Sequence, residues 1–178
     1  FWCSAGKAIP CPAHSFNEVP NADDQSYCLE CPKNSVTLGE ASDSFDDCVC
    51  DRGFFADTRV LPALDELRAA NLTKSDAFRL NASRFCLPCV SGAACRADAA
   101  EGLTLEALPL QPGYWRQNNR SRLVRACEVD DVCIGGPDVH TQCNGSHTGP
   151  LCDLCKEGFY GGRGKPCEEC EGDVAVTI

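Results

Sequence analysis

Four Cys-x-x-Cys pairs stand at 28/31, 86/89, 152/155 and 167/170. Thiols at that spacing suit three chemistries. Two such pairs can hold zinc in a tetrahedral thiolate site. A single pair at a helix start can carry out thiol–disulfide exchange, because the helix end lowers the thiol pKa. In an oxidising compartment the same residues are half-cystines that cross-link a small fold. Two related strings sharpen the choice. CVCDRGFF at 48–55 and CDLCKEGFY at 152–160 each run from a cysteine through two polar residues and a glycine into two aromatics.

The rest of the chain favours cross-links. It has 178 residues and 16 cysteines, a density typical of extracellular scaffolds without a large core. Four N-glycosylation sequons begin at Asn71, Asn81, Asn119 and Asn144. They point to the secretory pathway and predict exposed asparagines carrying N-linked glycans. That route removes the reducing conditions a thiolate site needs. The histidines are His14, His140 and His147, so a zinc site would be almost wholly thiolate. No helical pattern follows any of the pairs, as a redox site would require. The expectation is disulfide bonding at Cys3, Cys11, Cys28, Cys31, Cys48, Cys50, Cys86, Cys89, Cys95, Cys127, Cys133, Cys143, Cys152, Cys155, Cys167 and Cys170. The glycine before each aromatic pair marks a turn with positive φ. Phe54, Phe55, Phe85 and Phe159 then read as packing residues.

Aromatics make up only 7% of the residues, too few for one large core, so the elements should be several small modules in tandem. These are expected to be mostly loops and short β-hairpins, with one short helical insertion. Cysteine spacing divides the chain at 1–55, 56–85, 86–126 and 127–178. In the first segment, QSYCLEC (25–31) and SVTLG (35–39) read as short strands of a minimal hairpin. The second has no cysteine, and LPALDELRAANL (61–72) predicts a helix with Pro62 in its first turn and Leu64 and Leu67 on one face. Ser75-Asp76 starts a further short turn. A helix this short must dock to persist. In the third segment Leu103, Leu105, Leu108 and Leu110 alternate like a strand interrupted by Pro109. There GYWR (113–116) places its aromatics on a turn, and SRLVRA (121–126) reads as a short strand. The fourth ends in VAVTI, 174–178.

Certain strings carry a family resemblance. GPLCDLCKEGFY (149–160) resembles the second half of a laminin-type epidermal-growth-factor-like repeat. CVCDRGF (48–54) resembles the end of an ordinary growth-factor-like module. The run from Cys28 through Cys31, Pro32, Ser35 and Thr37 to Cys50 is similar to ephrin-receptor-like and tumour-necrosis-factor-receptor-like cysteine-rich repeats. The resemblance implies the pairs Cys143–Cys152 and Cys155–Cys167 in the laminin-type part and Cys31–Cys48 in the ephrin-receptor-like part. Other local pairs are Cys3–Cys11, Cys50–Cys86 and Cys89–Cys95. A growth-factor-like crossing pattern instead implies Cys127–Cys143 and Cys133–Cys152, whereas the laminin-type reading leaves Cys127 to pair with Cys133. Cys170 is the cysteine best placed for an outside partner. The order of motifs resembles large multi-repeat surface proteins of unicellular eukaryotes and algae. On this reading 1–55 is an ephrin-receptor-like or growth-factor-like module and 127–178 a laminin-type module, joined through the helical insertion and a linking segment.

Other chemistry finds less support. The net charge of −10 repels nucleic acid and anionic lipid. No run of apolar residues is long enough to span a membrane. The acidic clusters at 43–51 and at Glu128, Asp130 and Asp131 lack a calcium-loop pattern and read as solvated loops. No nucleophile elbow or phosphate loop occurs, and GGRGKP (161–166) precedes a cysteine, not a helix. The chain is thus expected to be non-catalytic, without cofactor or metal, and extracellular or at the cell surface as part of a larger precursor. Its expected role is structural or adhesive, with other modules of the precursor and extracellular proteins as partners. The alternative is a receptor-type ectodomain for a protein or glycan ligand. Tyr114, Trp115 and Arg116 are the candidate interaction residues, since amphipathic aromatics anchor interfaces.

Overall fold

The computed structural model describes residues 1–95, 101–162 and 164–170. Among them are seven two-stranded antiparallel ladders, four single 3-10 turns and two short α-helices. This is the small, disulfide-linked, loop-and-hairpin architecture that the cysteine density predicts. The chain forms two compact units. One comprises Phe1–Cys89 with Cys95–Leu105, the other Val90–Ala94 with the residues from Glu106 onward.

A single backbone device recurs, here called a corner. Its opening cysteine is followed by two residues, then one with positive φ, then a short strand. A closing cysteine bonds the opener, and a return strand ends where an N–H meets the carbonyl of the positive-φ residue. The positive-φ residues are His14 (67°), Asn34 (65°), Gly53 (83°) and Gly158 (85°). Their carbonyls accept from the N–H groups of Cys31, Asp51, Cys89 and Cys170 at 2.9–3.0 Å. The matching disulfides are Cys11–Cys28, Cys31–Cys48, Cys50–Cys86 and Cys155–Cys167. Each is a tight turn that glycine enters freely and in which an L-residue is strained, asparagine less than most.

The first two corners are copies offset by 20 residues: Cys11/Cys31, Pro12/Pro32, Ser15/Ser35 and Cys28/Cys48. In both, the serine hydroxyl donates to the preceding proline carbonyl at 2.6 Å. In both, a capped 3-10 turn (Gln25–Tyr27, Phe45–Asp47) delivers the closing cysteine. Strands do form within 25–31 and 35–39, but not as partners of each other. Leu29–Glu30 pairs with Ser15–Phe16, and Ser35–Val36 pairs with Val49–Cys50, because each strand closes its own corner.

In the third corner the cysteine-free stretch lies between Cys50 and Cys86. Helix α1 spans Leu61–Ala69 with Pro62 in its first turn. Just past its Ala70 cap, Asn71 has a φ of 56° that turns the chain away. Helix α2 spans Asp76–Ala82, and the Ser75 hydroxyl caps it by accepting the Phe78 N–H at 3.1 Å. Both helices dock on the corners. Leu64, Phe78 and Ala82 join Phe16, Phe45, Phe85 and the cystines in one buried cluster. Phe45 is its centre, with ring centroids 5.7 Å from Phe16, 5.7 Å from Phe78 and 5.4 Å from Phe85. Arg68 of α1 stacks over Phe45 at 5.5 Å and binds Glu18, Asp46 and Asp65. Two marginal helices are thereby held by packing, and α1 also by the Arg68 guanidinium.

The second unit has a smaller apolar cluster, Val132, Cys133 and Cys152, flanked by Trp115, Cys127, Val129 and Cys143. Its disulfides are Cys127–Cys133, Cys143–Cys152 and Cys155–Cys167. The crossing alternative for Cys127 and Cys133 is absent. Leu103, Leu105, Leu108 and Leu110 make no continuous strand, only isolated bridges at Thr104 and Leu110. The string VAVTI lies outside the described residues.

Candidate functional site

The expected Cys3–Cys11 pair is not formed. Cys11 bonds Cys28, not Cys3. Cys3 sits in a tight hairpin, Trp2–Ser4 against Lys7–Ile9, opposite Ala8, and is an exposed free thiol. Corner geometry dictates this, because the partner of an opening cysteine lies where the return strand begins. Cys170 is also exposed and free. Its N–H closes the Gly158 corner, the role that Cys31 and Cys89 play before bonding onward. Cys170 thus holds an opening position. The remaining Cys89–Cys95 bond closes a short loop.

GYWR belongs to a corner that has no cysteine at its key positions. Gly113 has φ 84°, and its carbonyl accepts the Cys127 N–H at 2.9 Å. Tyr114–Trp115 is therefore a strand, paired with Arg125–Ala126, not an irregular turn. Leu110 and Val124 stand where the disulfide would be, and Leu110 is buried. The shared signal is glycine followed by two aromatics: GFF, GYW and GFY. The missing cysteines obscure it.

The three residues proposed for interaction separate. Arg116 is buried (1% exposed), because it points inward from the strand. Its N–H donates to Gln142 Oε1 at 2.7 Å, and Gln142 Nε2 returns a bond to the Arg116 carbonyl at 3.2 Å. The guanidinium donates to the Glu106 carbonyl at 3.2 Å. Burial pulls its pKa below the ordinary arginine value, and the Glu106 carboxylate partly restores it. Tyr114 is half-buried, with its ring over Gly92; a Cβ there would lie 2.2 Å from the ring. Trp115 is half-buried and borders an open cleft of about 580 Å³ with Leu123, Arg125 and Leu151.

A second open cleft, about 660 Å³, lies in the first unit between residues 26–33 and α2. Phe78, Leu29 and Ala82 line it together with Lys33, Lys74 and Arg79. Lys74 Nζ sits 4.5 Å above the Tyr27 ring. The backbone and side chain of Ser26 hold the nearby Asp24 carboxyl below its ordinary pKa, with a smaller contribution from Lys74.

Among the sequon asparagines, Asn71 and Asn119 are exposed, and Asn81 and Asn144 are half-buried. Asn81 Nδ2 donates to the Ala77 carbonyl at 2.9 Å, and Asn144 Nδ2 to the Asp131 carbonyl at 3.2 Å. Asn144 also anchors His147, a buried residue that sequence reasoning passed over. His147 Nδ1 lies 2.7 Å from Asn144 Oδ1, and its Nε2 accepts the Cys167 N–H at 3.1 Å. The ring therefore carries its proton on Nδ1 and ties the last two disulfide loops together. Among the described residues, no three His, Cys, Asp or Glu side chains gather as a metal site. Glu128, Asp130 and Asp131 are exposed.

Residues 4–48, which hold the two copied corners, match the family described as tyrosine-protein kinase ephrin type A/B receptor-like. A 49-residue stretch is 37% identical to part of a laminin subunit alpha of Drosophila melanogaster, covering 26% of this chain and 1% of that protein. No solved structure matches the chain. The N-terminal region thus resembles an ephrin-receptor-like cysteine-rich segment, with a weaker laminin-type likeness, and the whole is a tandem array of cysteine-rich corners. This is a non-catalytic type of architecture. Among the described residues no helix is long and apolar enough to cross a membrane.

Proposed function

We propose that the chain is a non-catalytic structural or adhesive segment of a larger glycosylated extracellular or cell-surface protein. The observation that carries this reading is the recurrence of one corner, each copy handing the chain to the next. Such repetition suits a stiff spacer, because four of the corners are braced by their own cross-links and need little core. The exposed large apolar residues agree. Leu38, Leu80, Leu123 and Leu154 are exposed and lie far apart in sequence. The laminin-type likeness, and the resemblance to multi-repeat surface proteins of unicellular eukaryotes and algae, support the same role. N-linked glycans would sit at Asn71, Asn81, Asn119 and Asn144, most fully at the two exposed asparagines. Partners would be neighbouring modules of the precursor and other extracellular proteins.

Chemical crosslinking in the native source tests the reading. Recurrent links to the same partners are expected, together with a mass loss on enzymatic deglycosylation. A monomeric chain of unchanged mass would remove its basis. A second reading, a receptor-type segment with a particular ligand, is favoured by the basic cleft at α2.

A further inference from the structure

The helical insertion creates a surface that the other corners do not have. In the first two corners the span between the strand and the closing cysteine ends in a short capped turn. In the third it is two helices, and α2 with the turn before it forms one wall of the cleft facing residues 26–33. The floor is apolar: Phe78 and Ala82, with Leu29 and the Cys28 and Cys31 cystines beside them. The rim is basic: Lys33, Lys74 and Arg79 are all exposed, against the single lining carboxylate of Glu30. In a chain of net charge −10, three cations around one opening are a local concentration of positive charge, although Asp76 pairs with Arg79 at 3.8 Å and Asp24 lies near Lys74. The Tyr27 ring steadies Lys74 at the rim.

We propose that this cleft docks an acidic peptide segment of a partner protein. An apolar side chain of that segment seats on Phe78 and Leu29, and its carboxylates meet Lys33, Lys74 and Arg79. The inference deepens the receptor-type reading and rests on it. The volume of about 660 Å³ accommodates a few residues. A carbohydrate fits less well, because saccharides bind on exposed aromatic faces. Here the Tyr27 face is covered by Lys74. The sequon hydroxyls Thr73 and Ser83 also line the cleft, so glycans on Asn71 and Asn81 would rise beside it as flanking walls.

The test uses the full glycosylated chain and a fluorescein-labelled hexapeptide alternating glutamate with leucine. Its lysine-for-glutamate counterpart and a heparin-derived oligosaccharide are run in parallel. The acidic peptide is expected to bind, with affinity falling about tenfold or more in Lys33→Glu/Arg79→Glu and falling with added salt. The lysine peptide is expected not to bind. A non-reducing peptide map checks that the variant keeps its disulfides, and Lys33→Gln alone serves if the double variant does not fold. Four results would overturn the proposal: binding insensitive to these variants; oligosaccharide binding with the same dependence and no peptide binding; binding that appears only after deglycosylation, which makes the chain's own glycan the occupant; or self-association abolished by the same variants, which makes a second copy the partner. Each of these leaves the crosslinking test of the spacer reading unaffected.

Discussion

The corners at Gly53 and Gly113 share a backbone and differ in what holds them shut. Both pass through positive φ into a pair of aromatics, and both return to the carbonyl of that glycine. At Gly53 the Cys50–Cys86 bond closes the loop, and an aromatic cluster fills the space beneath. At Gly113 Leu110 and Val124 replace the cystine, and a reciprocal hydrogen-bond pair between Gln142 and the Arg116 backbone takes up the load. The turn is therefore local chemistry, and the cross-link stabilises a shape that it does not specify. This explains how one chain runs a ladder of corners through an aromatic-rich unit and then through one with a smaller buried cluster.

Breaking the covalent corner should have the largest effect. Cys50 and Cys86 are 36 residues apart, the longest loop in the ladder, so Cys50→Ser/Cys86→Ser should cost about 4 kcal/mol. Amide exchange should then rise across Phe54–Ala56 and both helices while the Gly113 corner keeps its protection. The non-covalent corner comes next. Leu110→Ala should cost about 3 kcal/mol, read as a lowered denaturation midpoint. Leu110→Cys with Val124→Cys should recover it by forming a new disulfide, since these positions match Cys50 and Cys86. Failure of that bond to form would break the equivalence of the two corners.

Smaller changes sharpen the contrast. Gln142→Ala strands the buried N–H of Arg116 and should cost about 2 kcal/mol in the second unit alone. The smallest effect is expected from Gly53→Ala, about 1 kcal/mol, because nothing lies within 4 Å of the added Cβ and only the backbone is strained.

How much of this was legible beforehand follows from where the code is local. The cysteine density fixed the class of fold, and Pro62, Leu64 and Ser75 marked both helices. The positive φ of Gly53 and Gly158 followed from glycine before an aromatic pair. Four things were hidden. His14 and Asn34 occupy the same position as those glycines, and only the 20-residue copy of C-P-x-x-S exposes the equivalence. Leu110 and Val124 disguise the Gly113 corner, because an apolar pair carries no cysteine signal. Arg116 looked like a surface residue because arginine seldom lies fully buried, and its partner Gln142 is 26 residues away. The basic cleft depends on a turn and a helix distant in sequence, so no single stretch displayed it.

The most direct test of the corner ladder is non-reducing peptide mapping by mass spectrometry, with free thiols alkylated before digestion. The account predicts Cys11–Cys28, Cys31–Cys48, Cys50–Cys86 and Cys155–Cys167, with Cys3 alkylated in the isolated chain. A Cys3–Cys11 bond, or a crossed Cys127–Cys143 and Cys133–Cys152 pair, would contradict it.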